Sequence, residues 1–460
     1  MNRRISSLAI AMMGLFLLHS TDEAFSYPWF ARRLVDNCNK CHVAFPKTND
    51  YGWYVKTTGY ELPKIEYTGL EESPVKRLLR YMPVAVRFKL DAVNSNPSHM
   101  EGDLNIRTAQ LISGGSILGN RVSWWFHKHL IEKNEFEDLF GGLPHEMWAQ
   151  YNWRLGKSDA TRFSIRYGMS ELPLRFSPAK TDLSEMEYAI YNAMAGESSL
   201  MLSMPQYGVG LKGVRLGGPS FNQVQSTYDI AFVNGAGNFS SNRFTEVFGR
   251  VGTLVGRTMV GAFTYVGAKD LAMAHHHEEG AAADSADAGM EESMFVGNNF
   301  YRVGVDFDSN VSPEINVYGL AMYARDSNPL AQEVASAGRF YGGFLGIDYT
   351  PSERVVFSWR YDMVRFNDFL LASNSEHADE HADNPADPDA GMHMEEEGGH
   401  THGGGGHMHG EMVTSNTDAM VFGVHFLLPI PNYQMRLTSE FRLGFRGQSD
   451  KMIVGLQFAL

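Results

Sequence analysis

The chain has 460 residues, of which 43% are hydrophobic, 12% aromatic and 20% charged, and its formal net charge is −14. This apolar content excludes an intrinsically disordered chain, and the presence of only two cysteines excludes a scaffold built on several disulfides. Beyond the first 26 residues, no apolar run approaches the roughly 20 residues that a membrane-spanning helix needs. Abundant glycine (46 residues) and aromatic residues in short alternating stretches favour an all-β protein instead.

The first 26 residues are typical of a secretory signal peptide. Asn2-Arg3-Arg4 gives a basic start, 5–18 is an apolar stretch, and Ala24-Phe25-Ser26 places small residues at the spacing that a signal peptidase recognises. The alternative, an N-terminal membrane anchor, fits less well because the apolar core is short. We therefore predict that residues 1–26 are removed from the mature protein.

The two cysteines carry the most specific pattern. They lie in Cys38-Asn39-Lys40-Cys41-His42, which matches C-x-x-C-H, the attachment motif of c-type haem. Thiols at this spacing both bond one haem, and the imidazole that follows becomes an axial ligand of the iron. A disulfide, a zinc half-site and coincidence are the alternatives, and no second C-x-x-C exists to complete a zinc site. We predict one covalent haem c, held by Cys38, Cys41 and His42.

Residues 27–81 form the predicted haem domain, a small α-helical unit like a monohaem cytochrome c. A domain of this size has too small a hydrophobic core to be stable alone, and a covalently bound haem would stabilise it. Between residues 27 and 81 there is no methionine and no histidine besides His42. The second axial ligand is therefore left open between Met82, a lysine, a side chain of the following domain and no residue at all.

From Met82 to the end of the chain, residues alternate between apolar and polar with period two. In 433–445 the odd-numbered positions are mostly apolar, whereas Arg436, Glu440 and Arg442 share the other face. Strands that are apolar outside and charged inside are typical of a membrane barrel. We predict a sixteen-stranded antiparallel transmembrane β-barrel, porin-like, over residues 82–460, with a water-filled bore. The predicted strands are 83–93, 104–113, 116–131, 145–155, 161–169, 206–215, 223–233, 243–253, 257–268, 296–308, 312–325, 339–349, 354–366, 417–428, 432–445 and 450–460.

The lengths of the predicted connections support the barrel independently. Connections after even-numbered strands are short and those after odd-numbered strands are long, with 446–449 as the single exception. Outer-membrane barrels have short periplasmic turns and long extracellular loops, whereas a soluble β-sandwich has no reason to alternate in this way. We therefore place both termini on the periplasmic side of a bacterial outer membrane, with the haem domain in the periplasm or inside the lumen.

Two long loops, 269–295 and 367–416, hold most of the acidic excess and ten histidines. Together they carry a charge of −17, so the rest of the chain is weakly basic. Candidate metal ligands in them are His275, His276, His277, His400, His402, His407 and His409, because imidazole in flexible polar sequence binds divalent metals. One alternative is a solvated loop that binds metal only incidentally, and another is a loop that raises the local cation concentration at the pore mouth.

Several charged residues and histidines fall within predicted strands. We interpret the charged ones as facing a water-filled lumen without a catalytic role; examples are Arg360, Asp362, Glu440 and Arg442. The histidines are interpreted as structural rather than as iron ligands; they are His127, His129 and His425.

The residues around the haem motif carry a further pattern. Pro28-Trp29-Phe30-Ala31-Arg32 precedes the motif, and Phe45-Pro46, Gly52, Lys56 and Gly59-Tyr60 follow it. In this order and approximate spacing they resemble the outer-membrane fused monohaem cytochrome–porins, a family that includes bacterial iron oxidases. The segment Glu171-Leu172-Pro173-Leu174-Arg175-Phe176-Ser177-Pro178 is similar to one in the porin part of that family.

The resemblance implies thioether bonds at Cys38 and Cys41, His42 as proximal ligand, electron entry from Fe(II), and exit to a periplasmic cytochrome or cupredoxin. We therefore hypothesise an outer-membrane electron conduit that acts as an iron:cytochrome oxidoreductase. Two alternatives stay open. In the first, the same conduit takes electrons from another donor such as copper, or passes electrons outward to an external acceptor. In the second, the protein is a metal-responsive porin in which the haem segment gates transport. Lipid of the outer membrane is an expected partner, and nucleic acid is not.

Overall fold

The computed structural model describes residues 41–44, 47–60, 84–94, 103–118, 120–132, 135–136, 145–155, 160–177, 183–196, 198, 200–218, 223–235, 244–272, 295–332, 335–367, 370, 413–428, 434–446 and 450–459. Several predictions lie outside these ranges: the signal peptide 1–26, Cys38, Met82 and the histidines of the two acidic loops. The boundary between a haem domain and the barrel, placed at residue 81, also lies outside them.

Sixteen long antiparallel strands close into one barrel, as the sequence predicts. Before the barrel come β1 (His42–Ala44), β2 (Lys47–Thr48) and helix α1 (Asp50–Thr57). The barrel strands are β3 (Val84–Asn94), β4 (Asp103–Ile117), β5 (Val122–Glu132), β7 (Glu146–Arg154), β8 (Thr161–Ser170), β9 (Gln206–Gly217), β10 (Gln223–Val233), β11 (Glu246–Val255), β12 (Thr258–Ala272), β13 (Phe295–Asn310), β14 (Ile315–Asp326), β15 (Gly338–Ser352), β16 (Val355–Phe366), β17 (Thr417–Leu428), β18 (Gln434–Arg446) and β19 (Lys451–Ala459). A two-residue strand, β6 (Glu135–Phe136), extends the pairing of β5.

The barrel closes through the pairing of β19 with β3, where Leu456 lies opposite Leu90. Side chains alternate as predicted: in β18, Arg436 and Glu440 are buried, whereas Leu437 and Phe445 are exposed on the outside. In the part of the chain that the structure describes, no helix is both long and apolar enough to cross a membrane.

One predicted strand boundary is wrong. The third strand was expected to begin at residue 116, but β4 continues to Ile117 and β5 starts only at Val122. Leu118 and Asn120 adopt positive φ angles of 52° and 66°, which a strand cannot accommodate, so the chain turns there.

The alternation of connection lengths is confirmed. The short turns are 118–121, 155–160, 218–222, 256–257, 311–314, 353–354 and 429–433, and we call their side of the barrel the turn end. The long connections are 95–102, 133–145, 171–205, 234–245, 273–294, 327–337 and 367–416, and we call their side the loop end. The exception, 447–450, is a short connection at the loop end.

The bore is not simply filled with water. The connection between β8 and β9 folds into the lumen and includes a short 3-10 helix, Ala189–Tyr191. Its aromatic side chains pack on inward-facing side chains of β14 and β15; the rings of Tyr188 and Phe344, for example, lie 4.1 Å apart. The buried cluster they form, the lumen core, includes Leu172, Leu174, Phe176, Tyr188, Ile190, Tyr191, Phe248, Phe263, Tyr265, Phe300, Leu320, Phe340, Phe344 and Phe366. The expectation of an outer loop above an open aqueous channel is therefore wrong for this connection.

Candidate functional site

The segment that follows Cys38 enters the lumen at the turn end, and we call its described residues, 41–44 and 47–60, the mouth segment. Helix α1 begins after Asn49, whose side-chain oxygen accepts a hydrogen bond from the Gly52 amide at 2.9 Å. It ends at Thr57, and just beyond it Gly59 and Tyr60 adopt φ angles of 75° and 61°. A Cβ on Gly59 would lie 2.4 Å from the side-chain amide of Gln150 on the barrel wall, and its positive φ angle also favours glycine at this turn.

Two cations bind the mouth segment to the barrel. Lys47 is paired with Asp348 and donates to the Asn316 amide oxygen at 2.8 Å. Arg175, at the start of the connection after β8, stacks over the ring of Trp53 at 4.1 Å and donates to Asp308 at 2.9 Å. Since these groups are largely buried, loss of either cation would leave a carboxylate without its partner.

Apolar and aromatic contacts complete the docking. Trp53 and Tyr54 pack on a cluster of barrel side chains that comprises Val214, Leu216, Val224 and Met259. Tyr60 reaches further into the lumen and stacks on Trp125 and Trp148, at centroid distances of 5.2 and 5.8 Å. The mouth segment therefore covers part of the turn end and is packed against the wall from several sides.

A cavity of about 650 Å³ lies between the mouth segment and the barrel wall. Its lining is mixed: Val43, Trp53 and Met259 are among its apolar residues, and Asp308 and Asp348 among its charged ones. Its size falls in the range of sites that hold a small organic ligand or cofactor.

The last two residues of the predicted haem motif lie next to this cavity. Cys41 and His42 directly precede Val43, which lines the cavity, although they do not line it themselves; both are half-buried. Met259 is the one methionine among the lining residues, and a thioether is an axial ligand used with histidine in cytochromes c. A thiol, an imidazole and a thioether, the donor types that a haem c requires, are therefore carried by residues in or next to the cavity lining; Cys38 lies outside the described residues.

The predicted lumen charges have a function that the sequence analysis missed: they anchor the inward loop, which we define as residues 183–196. The Glu440 carboxylate accepts hydrogen bonds from the Glu185 amide at 2.8 Å, the Met186 amide at 3.2 Å and the Ser184 hydroxyl at 3.1 Å. Arg360 donates to the carbonyl oxygens of Met186 and Glu187 at 2.9 and 2.8 Å. These side chains hold a loop in place rather than merely facing water.

Glu185 is the charged centre of this anchor. Burial opposes ionisation of its carboxyl, but the attraction of Lys89, Arg436 and Arg107 outweighs burial and lowers its pKa well below the ordinary value. Lys89 lies 2.8 Å from the carboxylate, and Arg436 contacts it directly. The ionised form is therefore the one that stabilises the loop.

Glu185 makes the stability of the protein depend on pH in a defined direction. Because its pKa is lower in the folded state than the unfolded value of about 4.3, its contribution is complete above that value. It is lost as the pH falls toward the folded pKa. We expect Glu185→Gln to lower the free energy of unfolding at pH 7 by about 3 kcal/mol and to flatten its decline below pH 4. Urea unfolding at pH 7, 5 and 3 measures this, with the exposed Glu353→Gln as control. If the free energy of unfolding declined equally with falling pH in Glu185→Gln and in the unmodified protein, this role of Glu185 would be contradicted.

The strand histidines separate into two groups. His425 is buried between Ser358 and Thr438, at 2.9 and 3.2 Å, in agreement with its interpretation as structural. His127 instead lies beside His145 and Glu146 on the lumen wall, and the ring of His129 lies next to the rings of His127 and His145. His145 was missed because only the register of β5 with β7 brings it to the other two.

Sequence comparison identifies no protein family whose profile matches the chain, and no curated protein matches it. Among solved structures, an anion-selective porin from Comamonas acidovorans is 9% identical, covers 82% of this chain and 98% of its own, and gives a TM-score of 0.48. OmpF of Salmonella typhi is 11% identical, with coverages of 82% and 97% and a TM-score of 0.47. The outer-membrane channel DcaP of Acinetobacter baumannii is 9% identical, with coverages of 82% and 96% and a TM-score of 0.46. The chain's own strand pairing, rather than these likenesses, defines its closed sixteen-stranded barrel.

Proposed function

We propose that the protein is an outer-membrane electron conduit. In this proposal it oxidises an extracellular donor, Fe(II) in the first instance, with one c-type haem held by Cys38, Cys41 and His42. It then passes the electron to a periplasmic cytochrome or cupredoxin. The observation that carries the proposal is the docking of the mouth segment, which begins with the last two residues of the C-x-x-C-H motif, at the turn end beside a cavity of about 650 Å³.

The outer surface of the barrel supports a position in a lipid bilayer. Large apolar side chains are exposed along its middle, for example Val305 and Leu345, at 57% and 42% of their surface. Exposed aromatic residues lie toward both ends of the strands. Tyr167 and Tyr341 lie toward the loop end; Tyr151, Tyr349 and Phe357 lie toward the turn end. An apolar band between two aromatic girdles is the surface of an outer-membrane barrel.

The proposed orientation explains why an electron conduit would be built on a membrane barrel. Oxidised iron is poorly soluble, so a donor is best oxidised at or outside the membrane while only its electron moves inward. With the turn end in the periplasm, the mouth segment is accessible to a soluble carrier on one side and to the lumen on the other.

The chain's own residues would hold and position the cofactor. Cys38 and Cys41 would tether it, His42 would ligate the iron, and Met259, which lines the cavity, would be the candidate for the second axial ligand. When bound, the haem supplies one-electron redox chemistry, whose potential the axial ligands and the surrounding polarity adjust. Lys47 and Arg175 keep the mouth segment seated against the wall.

Anaerobic stopped-flow spectroscopy of the purified holoprotein tests this function. We expect Fe(II) to convert the Soret band to its reduced form within seconds, and the reduced protein to reoxidise on mixing with a soluble cytochrome c or cupredoxin. Reduction by dithionite but not by Fe(II) would contradict iron oxidation. In that event the same experiment is repeated with Cu(I) and with external electron acceptors. Reduction of the haem by Cu(I) identifies another donor, and oxidation of the reduced haem by an external acceptor identifies outward electron flow.

A metal-responsive porin is the second candidate, and one observation favours it. The mouth segment is held partly by the buried ion pair of Lys47 with Asp348 and by the stacking of Arg175 on Trp53, contacts that a rearrangement of the segment would break. This function requires ion conductance in planar bilayers that changes with added metal, together with a haem that Fe(II) does not reduce. Rapid reduction without metal-dependent conductance excludes it.

A further inference from the structure

We infer that His127, His145 and Glu146, with His129 beside them, bind one divalent first-row transition-metal ion on the lumen wall. One ligand atom from each of the first three residues lies within 4.8 Å of the others. Bonds of about 2.0–2.2 Å from nitrogen or oxygen to such an ion place its ligand atoms up to about 4 Å apart. Small side-chain rotations therefore bring this group into a first coordination shell.

The fourth side chain adds a further imidazole at the same place. The ring centroid of His129 lies 5.0 Å from that of His127 and 5.2 Å from that of His145, and the His127 and His145 centroids are 5.1 Å apart. Three imidazoles and one carboxylate suit Zn(II), Fe(II), Cu(II) or Ni(II). They suit Mg(II) and Ca(II) poorly, since these prefer oxygen ligands throughout.

The cluster is also built into the wall. His127 and Glu146 occupy opposite positions in the paired strands β5 and β7, and the two residues are 2% and 3% exposed. Trp125 donates from its indole nitrogen to the Glu146 carboxylate at 3.0 Å, and Gln110 lies 2.8 Å from the outer ring nitrogen of His129. A hydrogen bond such as that from Trp125 orients a carboxylate ligand toward a metal.

The position of the cluster links it to the mouth segment. His127 lies two residues beyond Trp125 toward the loop end, which is about 7 Å along a strand, and Trp125 stacks on Tyr60. An ion bound there would lie on the loop-end side of the Tyr60, Trp125 and Trp148 stack. The metal site itself requires neither the haem nor the proposed electron transfer.

The test must separate this site from the histidine-rich loops, which offer ten further imidazoles. We therefore start from full-length protein in which those ten histidines are replaced by serine. Equilibrium dialysis against Zn(II), read by mass spectrometry of the metal, gives stoichiometry and affinity. The EPR spectrum of added Cu(II) shows whether nitrogen ligands surround the ion.

We expect one Zn(II) per chain and nitrogen splitting in the Cu(II) spectrum. Glu146→Gln and His145→Ala should each weaken Zn(II) binding at least about tenfold, whereas His425→Gln, a lumen histidine outside the cluster, should leave it unchanged. Heat-modifiable migration on gels establishes that each variant is folded. His145 precedes β7 and is only half-buried, so His145→Ala carries the test if a strand variant does not fold. Absence of a bound ion in the starting protein, or unchanged affinity in folded Glu146→Gln and His145→Ala, would overturn the inference.

Discussion

Replacing both Cys38 and Cys41 by serine is expected to leave no covalent haem on the protein. The thioether bonds require both thiols, and no other cysteine exists in the chain. Haem staining of a denaturing gel should fall from one haem per chain to background, and the purified protein should lack a Soret band. His42→Ala should behave differently: the haem stays attached, but its spectrum changes because the imidazole ligand is lost.

The barrel serves as an internal control for this experiment. All sixteen barrel strands lie outside residues 38–42, so the cysteine variant should still show heat-modifiable migration. Full haem staining in the double variant would contradict the attachment site. A barrel without haem in the unmodified protein, produced together with haem-attachment machinery, would contradict the proposed function itself.

Glu440→Ala is expected to release the inward loop. The substitution removes the acceptor of two backbone amides and one hydroxyl, all in a buried position. A buried donor without a partner costs about 1–3 kcal/mol, so the free energy of unfolding should fall by roughly 3 kcal/mol or more. Limited proteolysis should also begin to cut within residues 183–196.

The exposed Glu353→Ala is the matched control and should change neither urea stability nor proteolysis. Glu440→Gln keeps one acceptor oxygen and should give an intermediate effect. A Glu440→Ala protein that is as stable and as protease-resistant as the unmodified one would show that the lumen core alone holds the loop.

The sequence was sufficient to predict the barrel because its period-two alternation is local. Each strand shows its apolar face without reference to any other strand, and the lengths of the connections show which end each one occupies. The turn at Leu118 was misplaced because Gly114-Gly115 and Gly119-Asn120 are both turn signals, and the sequence alone does not decide between them.

The inward loop and the histidine cluster were harder to predict because both depend on contacts between distant parts of the chain. Phe344 faces inward although a water-filled lumen would favour a polar residue there, and its partner Tyr188 is more than a hundred residues away. Inward aromatic residues such as Phe344 were the available indication that something apolar fills the lumen. The pairing of His127 with Glu146 likewise follows from strand register, which the sequence alone does not fix.

The enclosure of the mouth segment has a consequence for biogenesis. Lys47, Trp53 and Tyr60 contact β14 and β15, the β9–β12 cluster and the β5–β7 pair, respectively, so the segment docks against strands that are translated well after it. Enzymes that attach a cofactor need access to an extended thiol motif. If the protein carries haem as proposed, attachment would therefore have to occur on the translocated polypeptide, before the pairing of β19 with β3 closes the barrel.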